Sequence, residues 1–273
     1  MPLIGQLRAM SLLKAQIGAD WISYRQAGQG PALVLLHGIG SASGSWLHQL
    51  MTPPGHQQVL AWDAPGYGHS SALPMDQPTA EDYAKRMWQW LDAVTIHASP
   101  VTLVGHSLGA LMAAAAAGLR PQSVKRLILL SPAQGYGHAS VERRESKLKD
   151  RLSMLERLGP EGLARERGKA MLSPRALAEQ ISHVQHLMSA IDPRGYTQAA
   201  RMLAHDDLKS RLAIVSCPTV VASGQADTIT PPEGCIQLAQ SLGLPYVSLG
   251  EVGHACAIEA ADAVSALLSG SAS

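Results

Sequence analysis

The sequence predicts an α/β fold, a mostly parallel sheet with helices on both faces and an inserted helical cap. Three observations carry that prediction. Apolar runs of strand length alternate with runs of helix length, and strands joined through helices need crossover connections, which make a parallel sheet covered on both sides. A serine flanked by glycines stands where one strand pattern stops and a helix pattern begins. Between Gln134 and Asp207 the alternation breaks, leaving several helical stretches and no convincing strand.

Taken in order, the expected strands are Leu12 to Ala19, Trp21 to Ala27, Ala32 to His37, Gln58 to Trp62, Val101 to Gly105, Val124 to Ser131, Thr219 to Ser223 and Tyr246 to Leu249. The first two are expected to add an antiparallel edge. Thr79 to Ile96 reads as a helix with a threonine cap and acidic residues in its first turn. Further helices are expected at Leu108 to Leu119, Pro231 to Leu242 and Ala255 to Leu268, and the alanines Ala113 to Ala117 suit a helix packed closely on a sheet. The strandless stretch is punctuated by Gly159-Pro160, Ser173-Pro174 and Asp192-Pro193 and is rich in Arg and Lys at first. Its basic excess reads as a solvated face. The chain therefore divides into a core, 1–133 and 208–273, and a helical insertion, 134–207.

Composition bounds the function. A length of 273 residues fits one large domain with an insertion, and 46% hydrophobic against 16% charged residues excludes a disordered chain. The net charge of +1 provides no field for holding a polyanion, so nucleic acid is not an expected partner. The longest uncharged apolar-rich stretch, Leu108 to Leu119, is too short to span a bilayer. Met1 to Ala19 lacks the apolar region and cleavage site of a secretory signal, so a cytoplasmic protein is expected. Cys217, Cys235 and Cys256 are odd in number and show no CxxC spacing, which reads as reduced thiols rather than disulfides or a zinc site. No dinucleotide fingerprint or metal constellation appears, so no cofactor is expected. Phenylalanine is absent, and no physical reason for this is apparent.

The chemistry centres on Gly105-His106-Ser107-Leu108-Gly109. A sharp strand-to-helix turn exposes a serine hydroxyl, small glycines let neighbouring backbone approach, and a base can then make the oxygen a nucleophile. The turn also puts the Leu108 N–H at a helix N-terminus, where it can stabilise a developing oxyanion. Upstream, His37-Gly38-Ile39-Gly40 ends a buried strand in a flexible turn whose Ile39 N–H can supply a second donor. His37 itself reads as a structural hydrogen-bonding residue. Asp227 falls in a loop after the run from Thr219 to Ser223, and His254 follows Tyr246 to Leu249, so both belong at carboxyl ends of strands, where ligand crevices form. Cys256 reads as a small buried hydrophobe beside them.

Together with Asp63-Ala64-Pro65-Gly66-Tyr67-Gly68-His69-Ser70, Gly224-Gln225-Ala226-Asp227 and Gly253-His254, these segments resemble the α/β-hydrolase family over nearly the whole chain. The resemblance implies Ser107 as nucleophile, Asp227 as acid and His254 as base, in the family's chain order. It also implies that Asp63 belongs to a structural turn. The alternative acid position seen in some relatives reads Ser131-Pro132-Ala133-Gln134 here, without a carboxylate. A serine nucleophile separates this chain from relatives that use aspartate to remove halide or open epoxides.

The expected activity is hydrolysis of a small carboxylic ester or related acyl compound through an acyl-enzyme. Relatives with the same machinery cleave carbon–carbon bonds of ring-fission products or open enol-lactones, and others act as small-molecule receptors with slow or no turnover. The motifs, including Ser43-Gly44-Ser45-Trp46 after the upstream turn, fit either enzymatic alternative.

Overall fold

In strands covered on both faces, apolar residues run without alternation, and that pattern places the central strands here. The computed structural model describes residues 2–94 and 100–270. Eight strands form one sheet: β1 (Leu13–Ile17), β2 (Asp20–Ala27), β3 (Ala32–Leu36), β4 (Gln58–Trp62), β5 (Val101–His106), β6 (Val124–Leu130), β7 (Thr219–Ser223) and β8 (Tyr246–Ser248). Their order is β1-β2-β4-β3-β5-β6-β7-β8. Pairing is antiparallel at β1/β2 and β2/β4 and parallel from β4 onward. All six residues of β5, near the middle, are buried.

The helices are α1 (Leu3–Ala9), α2 (Leu47–Met51), α3 (Ala80–Val94), α4 (Gly109–Leu119), α5 (Val141–Arg167), α6 (Ala178–Ser189), α7 (Pro193–His205), α8 (Leu208–Leu212), α9 (Pro232–Ser241), α10 (Cys256–Glu259) and α11 (Ala261–Ser269). Successive strand residues serve opposite faces. Val34, Leu36, Leu103, Leu127 and Leu129 pack with α3, α4 and α9, whereas Leu33, Leu35, Val104, Ile128 and Leu130 pack with Val264 and Leu267 of α11. The small side chains Ala113 to Ala117 let α4 lie close to its neighbours, and Trp88 of α3 donates its indole N–H to Ala116 O at 3.0 Å.

Local chemistry explains several boundaries. Thr79 caps α3 reciprocally with Asp82, its hydroxyl accepting from Asp82 N–H at 3.3 Å and its own N–H donating to the Asp82 carboxylate at 2.9 Å. The expected end of this helix at Ile96 lies outside the described residues. Other features differ from the sequence reading. Helix α1 was not expected: it has no side-chain cap, and it is held by Leu3 and Leu7 packing with Leu47, Val184, Leu187 and Ile258. The single closing helix is two, because Ala260 leaves the helical region (φ −119°, ψ 46°). That change of direction separates the turn beside His254 from the helix that packs on the sheet.

Between β6 and β7 the chain forms only helices, α5 to α8. Helix α5 bends at Gly159 (φ 61°, ψ 176°), a conformation that glycine alone adopts readily, and Pro160 follows. An antiparallel bridge pairs Gly135 with Asp207, and Leu208 N–H donates to Gln134 O at 2.9 Å. Helix α7 docks on the loop after β4, where a Cβ on Gly195 would lie 2.0 Å from Gly66 O. Gln198 donates to Leu73 O at 2.8 Å and to Met75 O at 2.7 Å. Among the described residues no helix is long and apolar enough to cross a membrane.

Candidate active site

The turn after β5 forces Ser107 into the left-handed region, φ 53°, which a non-glycine residue occupies only at a cost of about 1–3 kcal/mol. Both flanking glycines are required by space. A Cβ on Gly105 would lie 2.5 Å from Gly109 O, and one on Gly109 would lie 2.3 Å from Leu36 O. Backbone hydrogen bonds then hold the turn: Ser107 N–H donates to Leu130 O at 3.0 Å, and Ser107 O accepts from Ala110 and Ala133 at 3.0 and 3.1 Å.

The turn after β3 lies directly against it. A Cβ on Gly38 would be 3.1 Å from Ser107 Cβ and 3.5 Å from Ser107 Oγ. Tyr67 fixes this turn by donating its hydroxyl to Ile39 O at 2.7 Å. Among the described residues, neither the Ile39 nor the Leu108 N–H has an acceptor. His37 is structural: its Nε2 accepts from Ala64 N–H at 3.0 Å, so the proton is on Nδ1, which donates to Gly38 O at 2.8 Å. Asp63 likewise ties down loops, accepting from Ser23 Oγ at 2.6 Å and Ser43 N–H at 2.8 Å.

Asp227 and His254 come together at the ends of β7 and β8. His254 Nδ1 lies 2.9 Å from Asp227 Oδ2, while Asp227 Oδ1 accepts from the Ile229 and Thr230 N–H groups at 2.8 and 2.9 Å. Burial opposes ionisation of this carboxyl, but His254 and the two backbone donors outweigh it and hold the group at about 2. The ionised form then fixes the His254 proton on Nδ1 and leaves Nε2 free to accept.

Sequence reasoning missed three neighbours. The Thr230 hydroxyl reaches Asp227 Oδ2 at 2.9 Å, Ser131 O at 3.0 Å and His254 Nδ1 at 3.1 Å. Ser131 is itself left-handed, φ 44°. His106 Nε2 donates to His254 O at 2.7 Å, and burial together with the nearby His254 lowers its pKa to about 3, so the ring stays neutral. Glu259 accepts from Gly253 N–H and Ser173 N–H, each at 2.9 Å, and from the Ser173 hydroxyl. Only His106 had a sequence signal, its place inside the glycine-flanked turn. Cys256 is buried, and burial plus the Asp227 charge push its thiol up to about 12, so it is inert as a nucleophile.

Ser107 and His254 line one cavity of about 720 Å³, together with Ile39, Leu108, Met154, Leu163 and Met188. No hydrogen bond joins Ser107 to His254 among the described residues. A hydroxyl, an imidazole with its free nitrogen available and two unpaired backbone donors at one cavity wall can perform acyl transfer.

Comparison with known proteins identifies the family of the chain. Residues 31–261 match the family of the alpha/beta hydrolase fold. The chain is 29% identical over 222 residues to (E)-2-((N-methylformamido)methylene)succinate hydrolase of Acinetobacter baylyi, covering 79% of this chain and 80% of that protein. It is 30% identical over 249 residues to the pimeloyl-[acyl-carrier protein] methyl ester esterase of Photobacterium profundum, covering 83% and 93%. A thermophilic esterase from Thermogutta terrifontis shares the fold with a TM-score of 0.83 at 24% identity, over 94% of this chain and 96% of that one. With the matched segment running from β3 to the start of α11, the chain is a member of the α/β-hydrolase family.

Proposed function

We propose that this protein is a serine hydrolase that cleaves a small carboxylic ester or related acyl compound through an acyl-enzyme. The observation that carries the reading is the convergence of left-handed Ser107, the His254–Asp227 pair and the unpaired Ile39 and Leu108 N–H groups on one cavity. Ser107 Oγ attacks the ester carbonyl carbon as its proton passes to His254 Nε2. The carbonyl oxygen becomes an oxyanion facing the Ile39 and Leu108 N–H groups, and Asp227 stabilises the imidazolium. Collapse breaks the ester C–O bond, and the departing alcohol takes the proton from His254. Water then attacks acyl-Ser107 with the same base, releasing the acid and restoring the hydroxyl. Residues 134–207 act as a cap that roofs the cavity and selects among substrates. Cys217, Cys235 and Cys256 are free thiols, which suits a reducing compartment, and we read the protein as cytoplasmic.

A fluorophosphonate probe tests the chemistry. It should label Ser107 stoichiometrically, located by peptide mass analysis, and Ser107→Ala should not react. Labelling elsewhere, or undiminished labelling of the variant, would remove the serine mechanism. A turnover panel of simple esters, thioesters, enol-lactones and vinylogous diketones assigns the reaction, with several short acyl esters expected to cycle.

A further inference from the structure

The cavity is charged asymmetrically. Its lining includes Arg143, Lys147 and Arg151, spaced four residues apart on α5 and therefore on one helix face, and Arg167 from beyond the bend at Gly159. Among the described residues the lining contains one carboxylate, Asp150. Among the described residues Arg143, Lys147 and Arg167 have no side-chain ion pair. By contrast, Arg144 and Arg157, outside the lining on the same helix, lie 3.9 Å from Glu145 and 3.8 Å from Glu166.

Arg151 is the informative member. It is half-buried, and among the described residues its one hydrogen-bond partner is the Tyr196 hydroxyl at 3.4 Å, a long and neutral partner for a guanidinium. A charge taken partly out of water needs a counter-charge, and a guanidinium fork matches a carboxylate with two parallel hydrogen bonds. Arg151 and its partner Tyr196 both line the cavity that Ser107 and His254 share. Apolar Met154 and Leu163 line the same wall and suit a methylene chain.

We propose that this wall recognises a free carboxylate on the acyl part of the substrate, so that the preferred substrates are half-esters of aliphatic dicarboxylic acids. The proposal rests on the serine-hydrolase reading and names its substrate class. Arg151 takes the carboxylate inside the cavity, and Arg143 and Lys147 draw the anion in from the exposed rim.

The test compares monomethyl esters of the dicarboxylic acids from succinate to suberate with the matching methyl ester amides, which have the same shape without the charge. At the best chain length kcat/KM should favour the half-ester at least tenfold. Arg151→Met should bring the ratio to about one, Arg151→Lys should retain part of it, and Arg143→Gln with Lys147→Gln should lower it less while weakening its dependence on salt. A ratio near one in the wild type, or one unaltered by Arg151→Met in a folded variant, overturns the proposal. A preference lost only with Arg143 and Lys147 also overturns it, because recognition would then lie on the rim. Calorimetry on Ser107→Ala separates this idea from the catalytic one. Half-esters should bind at least tenfold more tightly than the amides even without turnover, and equal affinity would refute the carboxylate site while leaving fluorophosphonate labelling to judge the serine mechanism.

Discussion

The floor and the wall of the cavity are built by different means. On the floor, Ser107 is held by three backbone hydrogen bonds, and the Asp227 carboxylate meets two N–H groups, a hydroxyl and an imidazole. The wall is made of side chains from α5, α6 and α7, and among the described residues Arg143, Lys147 and Arg167 of α5 have no ion pair. Precise placement comes from turns at strand ends, held by dense backbone and side-chain hydrogen bonding. The helices present faces that can change without moving those turns.

The largest effect should come from breaking the floor at its one charged contact. Asp227→Asn keeps the shape but favours the wrong imidazole tautomer, and the loss in kcat can approach the order of 10⁴ known for another serine hydrolase. Steady-state kinetics on a variant shown folded by circular dichroism checks this. Near-wild-type turnover would mean that the floor is not organised around His254.

Stability sharpens the contrast next. In Gly109→Ala the new Cβ would meet the Leu36 and His37 carbonyl oxygens at 2.3 and 2.9 Å, backbone atoms at the end of β3 and the start of the turn after it. A loss of about 3 kcal/mol or more is expected in urea unfolding. Gly159→Ala in the wall meets nothing within 4 Å, so only its left-handed conformation is penalised, by about 1–3 kcal/mol. Equal losses would erase the distinction between a crowded floor and an open wall.

A smaller effect follows from the neutral His106 under the floor. Native His106 is held at about 3 against an ordinary 6.5, so between these values the unfolded chain takes up a proton that the native state refuses. Its contribution is complete above pH 6.5 and declines as the pH falls toward 3, by about 1 kcal/mol per pH unit. Asp227, held at about 2 against 3.8, extends the loss into more acidic solution. Urea unfolding from pH 7.5 to 4.5 should show this decline, and His106→Gln should make it shallower. An unchanged slope would mean that His106 protonates freely in the native protein.

The same division explains what could be read from the sequence. The strands and the Ser107 turn were legible because their determinants are local: an apolar run, or two glycines within five residues whose Cβ atoms would strike neighbouring backbone. Asp227 and His254 were legible as loop residues after strands, in a family's chain order. Thr230 was not, because its role depends on the Ser131 carbonyl, 99 residues away. Glu259 holds Ser173 across 86 residues, and α1 owes its helix to packing against Val184 and Leu187. None of these partners leaves a periodicity or a spacing behind.

The bridge between Gly135 and Asp207 has a consequence for how such a wall can vary. It brings the ends of the helical insertion side by side, with Gly137 N–H also donating to Asp206 O at 2.8 Å, so the chain leaves the sheet and returns to it at one point. To the sheet, everything between those residues is a closed loop, and doubling or halving its length would alter the closure entropy by only about 0.6 kcal/mol. Chain closure alone therefore sets little limit on the length of the segment joined at this junction; the limit comes from its packing on the core beneath.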